Sequence, residues 1–127
     1  MATEEQNKKL VLRLAHKLSG NNKTEEMIRE FTDSETYIKG VLMFEKGFPK
    51  YHIFIENITA QDNDVIVEGV FRGVHKGEIF NVPPTLKKVE FPMMIRYTVV
   101  DKKITEAYPL SDQMALFEQL GILKATP

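Results

Sequence analysis

The sequence predicts a segregated α+β fold: three amphipathic helices, a four-stranded antiparallel sheet, then one short helix. Three observations predict it. Apolar residues recur about every four positions up to Phe48 and every two after Pro49. Turn-forming residues divide the second half at Gln61–Asp64, Gly77–Pro84 and Asp101–Lys103. Ser111-Asp112 and Gly121 bracket a final helical stretch.

Each element has its own signature. From about Glu4 to Leu18, Leu10, Val11, Leu14 and Leu18 form one apolar face, and Gly20-Asn21-Asn22 ends the helix with residues that tolerate left-handed backbone. Thr24 is placed to cap a second short helix, with Glu25 and Glu26 at the positive end of its dipole and Met27, Ile28 and Phe31 offered to the core. Thr32-Asp33-Ser34-Glu35 reads as a capping box for a third helix, with Tyr37, Ile38, Val41, Leu42 and Phe44 as its apolar face and Gly47-Phe48-Pro49 as its stop. Tyr51, Ile53 and Ile55 then alternate with His52, Phe54 and Glu56, which is a strand. A second strand from Val65 to about His75 puts Val65, Val67, Gly69, Phe71, Gly73 and His75 on one face. The third, Lys88 to Val100, sets Phe91, Met93, Ile95, Tyr97 and Val99 against Glu90, Pro92, Met94, Arg96 and Thr98. Pro92 cannot donate to a ladder, so a bulge, bend or edge is expected there. A fourth strand runs from Ile104 to Leu110. Met94 makes the second face of the third strand apolar too, and such a sheet covers a second surface, often another subunit.

Composition narrows the class. The 127 residues fit one domain, 1–127, and 43% hydrophobic with 28% charged residues is the mixture of a globule that buries a core. A net charge of −1 with interspersed signs points to neither nucleic acid nor an anionic membrane as partner. Cysteine is absent, which removes disulfides, thiolate nucleophiles and cysteine-based zinc sites. MATEEQNKKL lacks the basic start and apolar core of a signal peptide, so a cytoplasmic location is the expectation. His16, His52 and His75 are the only histidines; they lie on a helix and two strands without metal-ligand spacing, so no metal is expected. There is no G-x-x-x-x-G-K-[ST], G-x-G-x-x-G or G-x-S-x-G.

Several short segments together resemble one family. Gly73-Val74-His75-Lys76-Gly77-Glu78 is similar to a G-T-H-x-G-E segment, with Val74 for Thr. Val82-Pro83-Pro84-Thr85 is similar to an I-P-P-T loop, with Leu86 where Gly is common. Ile104-Thr105-Glu106-Ala107-Tyr108 matches an I-x-E-x-W strand with Tyr for Trp, and Asp112 with Leu116–Gly121 matches a D-x-x-x-L-x-x-Q-L-G ending. In order and spacing they resemble the SnoaL-like polyketide cyclase/ester cyclase family, over roughly residues 46–123. The resemblance implies a nuclear transport factor 2-like fold, in which helices close one side of a strongly curved sheet into a cone around a pocket. It also implies dimerisation through the sheet, no cofactor, and an aspartate that acts as general acid/base in an aldol ring closure. The lid of the family, a strand and loop between the second and third helices, is reduced here to Thr32-Asp33-Ser34. Trp-Asp at the end of the last strand is replaced by Tyr108-Pro109.

Two functions of different class follow. One is a cofactor-free cyclase, isomerase or hydrolase with Asp112 as acid/base and His75 or a tyrosine donating to the developing oxyanion. The other is a non-catalytic dimeric domain that binds a small apolar molecule in the cone, or has no ligand and serves assembly. Phe71, Met93, Ile95, Tyr97 and Tyr108 are the candidate lining. Each candidate also has a structural role: Asp112 suits a helix N-terminus, His75 a turn-fixing hydrogen bond, and the tyrosines a core. Arg72, Glu68 and Arg96 are expected to form a cross-sheet ion pair. The direction of Asp112, into the cavity or outward as a cap, discriminates the two functions.

Overall fold

A computed structural model describes residues 3–122. Helices α1 (Glu4–Leu18), α2 (Glu25–Arg29) and α3 (Glu35–Gly47) precede strands β1 (His52–Gln61), β2 (Asp64–Val74), β3 (Lys88–Val100) and β4 (Lys103–Ser111), and α4 (Gln113–Leu120) follows. The strands form one antiparallel meander in the order β1-β2-β3-β4. The expected α+β order is the observed one.

Local chemistry explains the helix ends. Thr3 and Gln6 close a capping box on α1, and Thr24 accepts from the Met27 amide to cap α2. Ser34, rather than Thr32, caps α3 by accepting from Tyr37. The Thr32 hydroxyl is spent elsewhere: it donates to the Ile104 carbonyl at 2.7 Å and accepts from the Ser34 amide. The short connection before α3 thereby makes a one-residue bridge to the outer edge of β4.

The sheet is apolar on the face toward the helices. Even alternation from Tyr51 would turn Ile58 and Ala60 outward. A bulge between Ile55 and Asn57 shifts the register, so that both pack on the core with Ile55. Pro92 sits one residue beyond the last β3–β4 pair, Met93 opposite Ser111, and its carbonyl accepts from Asp112. Its nitrogen therefore faces a local edge, one of the three expected outcomes. The next stretch of that edge is closed by α4, because Gln119 exchanges two 2.7 Å hydrogen bonds with the backbone of Glu90. On the outer face Arg72 pairs with Glu90 and Arg96 with Glu106, not with Glu68 as expected. The register places Glu90 directly opposite Arg72, which decides the first pair.

Two clusters fill the inside. One joins α1, α2 and α3 to the end of the sheet that carries the β1–β2 and β3–β4 turns, through Leu14, Ile28, Ile38, Val65 and Val99. The other joins the end of α3, the opposite end of the sheet and α4 through Phe48, Phe71, Phe91, Leu116 and Leu120.

Candidate functional site

Between the two clusters the molecule keeps a cavity of about 170 Å³. Val11, Leu14 and Leu18 of α1, Val41 and Phe44 of α3, and Ile53, Val67, Phe71, Phe91, Met93 and Ile95 of the sheet supply most of its wall. Thr36 and Gly40 of α3 and Ala107, Pro109, Leu110 and Ser111 of β4 line it as well. Thr36 and Leu110 are exposed, which puts the mouth between the start of α3 and the end of β4. That is the side where the connection Thr32-Asp33-Ser34 is short.

One wall is an aromatic ladder. Tyr51, just before β1, Phe71 of β2 and Phe91 of β3 stack with successive centroids 4.6 Å apart. Lys23 ends the ladder, its Nζ 3.8 Å above the Tyr51 ring. The Lys23 side chain is fully buried, and all three of its protons are used, on the Asn21 carbonyl, the Tyr51 carbonyl and Glu45 at 3.1 Å. Burial holds its ammonium below the ordinary lysine pKa, against the opposing pull of Glu45. The other oxygen of Glu45 accepts from the Lys50 amide, so the pair ties α3 to both loops beside it.

Three buried tyrosines join Ser19, Lys23, Thr36 and Ser111 as the polar residues of the lining. Tyr37, from the first turn of α3, meets Tyr97 of β3 edge-on, and the two hydroxyl oxygens lie 3.2 Å apart. The Tyr51 hydroxyl has no hydrogen bond among the described residues. Burial pushes the Tyr37 phenol up to about 12 and raises those of Tyr51 and Tyr97 as well, and neighbouring phenol charges oppose ionisation of the latter two further. All three remain neutral donors at physiological pH.

The expected site residues separate into two groups. Phe71, Met93, Ile95 and Tyr97 line the cavity. Tyr108 does not: it is half exposed on the outer face, under the Arg96 guanidinium at 5.2 Å, because β4 alternation sends it opposite to Ala107. Asp112 is exposed, outside the lining, and accepts from the Ala115 amide at 3.0 Å as the α4 cap. His75 is buried just beyond the end of β2 but away from the cavity. Its Nδ1 accepts from the Thr85 amide at 3.1 Å and meets the Thr85 hydroxyl at 2.9 Å, anchoring the Pro83-Pro84 loop. Asp112 and His75 therefore do not converge. Among the described lining residues none carries a carboxylate or an imidazole. Sequence reasoning assigned Tyr37 and Tyr51 to core faces and passed over Lys23. Their roles depend on which side chains oppose them, and spacing along one segment does not hold that information.

Comparison with known proteins agrees with the architecture. Among solved structures, AclR, a candidate hydroxylase from Streptomyces galilaeus, superposes with a TM-score of 0.85 at 20% identity, over 98% of this chain and 87% of that one. A candidate SnoaL-like polyketide cyclase from Jannaschia sp. CCS1 gives 0.82 at 24% identity, over 100% and 97%. IdmH, a candidate polyketide cyclase from Streptomyces antibioticus, gives 0.74 at 22%, over 91% and 99%. At these identities the likeness concerns the nuclear transport factor 2-like fold alone. No curated protein matches the chain. The profile of SnoaL-like polyketide cyclases matches residues 4–120, nearly the whole chain, and this protein therefore belongs to the SnoaL-like polyketide cyclase family.

Proposed function

We propose that this protein binds a small apolar molecule in its cavity, within a homodimer formed through the sheet, and that it does not carry out acid/base ring closure. The observation that carries this reading is the make-up of the cavity wall. It is aliphatic and aromatic, with phenols as its buried neutral donors and no described carboxylate or imidazole to move a proton. A proton abstraction needs a base within hydrogen-bond reach of the substrate, and Asp112 is occupied at a helix end on the surface. The alternative, a cofactor-free cyclase, isomerase or hydrolase using Asp112, has no support in this geometry. For the homodimer, the support is the outer sheet face, where Phe54, Met94 and Tyr108 are each more than two-fifths exposed.

Calorimetric titration with tetralin, a two-ring hydrocarbon, tests the reading. Saturable binding at one site per chain, weakened in a Val67→Arg protein that keeps its fold, is the expected result. Absence of binding would overturn it. So would turnover of a polyketide substrate that Asp112→Asn abolishes.

A further inference from the structure

We propose that Tyr37, Tyr51 and Tyr97 together hold one acceptor oxygen, so that the preferred ligand is a neutral one- or two-ring ketone and not a hydrocarbon or a carboxylic acid. The inference rests on the cavity reading above and adds the chemistry of its occupant.

A count of protons leads to it. Three phenols carry three O–H protons. One is shared within the Tyr37–Tyr97 pair, whichever oxygen donates. The second proton of that pair, and that of Tyr51, have no acceptor among the described residues. Of the other buried or half-buried polar groups in the lining, Ser19 and Lys23 are committed, and Ser111 stands apart at the mouth, at the end of β4. Ser19 donates to the Ile53 carbonyl and accepts from its amide. Lys23 has no free proton. Two unspent donors in a mostly apolar space favour a ligand that brings an acceptor with two lone pairs, which a ketone oxygen has.

Charge and size narrow the class. The phenols keep their protons far above neutrality, so the site supplies dipoles rather than a charge. Among the described lining residues the one cation, Lys23, is neutralised by Glu45 at 3.1 Å. A carboxylate would therefore be desolvated without a counter-ion, which is costly. A volume of about 170 Å³ is close to that of cavities that take a single aromatic ring, and the open mouth admits a second ring.

The test compares tetralin, 1-tetralone and 1,2,3,4-tetrahydro-1-naphthoate on the wild-type chain and on a Tyr37→Phe/Tyr51→Phe/Tyr97→Phe protein. The ketone is expected to bind the wild type about tenfold more tightly than tetralin, one hydrogen bond's worth of affinity. That preference disappears in the triple variant, and the acid binds the wild type more weakly than the ketone does. The infrared carbonyl stretch of bound tetralone provides a readout that needs no variant. It should lie below its position in alkane solvent and return toward that position in the triple variant. Equal wild-type affinities for tetralin and tetralone, an unshifted carbonyl, or tighter binding of the acid would each overturn the inference while leaving the cavity reading intact. If tetralin does not bind, the cavity reading itself fails.

Discussion

Lys23 is the residue whose burial asks most of its surroundings. Its ammonium lies inside a mostly apolar wall, satisfied by two carbonyls and Glu45. Removing one member of such a pair strands the other charge. Lys23→Met should therefore destabilise the protein by about 3–5 kcal/mol in urea unfolding, and Lys23→Met/Glu45→Leu should recover most of that loss. Equal losses in the single and double variants would show that the pair is not the cause. The tyrosines make a pH prediction. Their folded pKa values lie above the unfolded value of 10.0, to about 12 for Tyr37. Between those limits the folded state holds more protons, so their contribution is complete below pH 10 and is lost as pH rises toward 12. Lys23, lowered from 10.5, works in the opposite sense, as one group against three. Unfolding midpoints should fall across this window, and Tyr37→Phe/Tyr97→Phe should flatten the fall. A wild-type midpoint that rises across the window would contradict the burial of these phenols.

At the scale of the element, α3 and α4 divide binding from stability. Gly40 lies in α3 at the mouth, and a Cβ built on it meets nothing within 4 Å. Replacing a mid-helix glycine stabilises by roughly 0.5–1 kcal/mol, so Gly40→Leu should raise the melting temperature while it narrows the mouth and weakens tetralin binding. Unchanged affinity would place the ligand's path elsewhere. On α4, Asp112→Ala should cost about 1 kcal/mol through the lost cap, and Asp112→Asn almost nothing, since asparagine caps equally well. Neither should alter ligand affinity; a loss of binding in both would tie Asp112 to the site. The family-like segment after β2 is structural in the same way. The Lys76 and Gly77 amides both donate to the Gly47 carbonyl, and any Cβ at Gly77 would run into the Lys46 carbonyl. Gly77 thus lets that turn close over the end of α3.

For the whole molecule, the outer sheet face bears on assembly. Met94 stands between Glu68 and Leu110 in register, and Arg96 lies between Ile66 and Tyr108, so charged and apolar side chains share one broad surface. Light scattering should give twice the chain mass of 14.6 kDa, and Met94→Glu/Tyr108→Glu should halve it. A wild-type mass of 14.6 kDa at tens of micromolar would dispose of the dimer.

Period and punctuation in the sequence were enough for the order of elements, the face of each helix and the phase of β2 and β3. Those depend on neighbours three or four residues apart in a helix and two apart in a strand. Thr24 and Asp112 were legible as caps for the same reason, and Gly121, at a φ of 83°, as the stop of α4. The phase of β1 beyond Ile55 was not, because a bulge at Glu56 is settled by pairing with β2. Nor was the cap of α3, since Thr32 is drawn to Ile104, a residue 72 positions away. The site was half legible. Phe71, Met93, Ile95 and Tyr97 follow from strand phase, whereas the Tyr37–Tyr97 contact joins residues 60 apart and the Lys23–Glu45 pair residues 22 apart. Composition and local spacing decide which residues turn inward. Which inward residues meet, and whether a polar one finds a partner or is left with a proton to offer, is decided only when distant segments pack together.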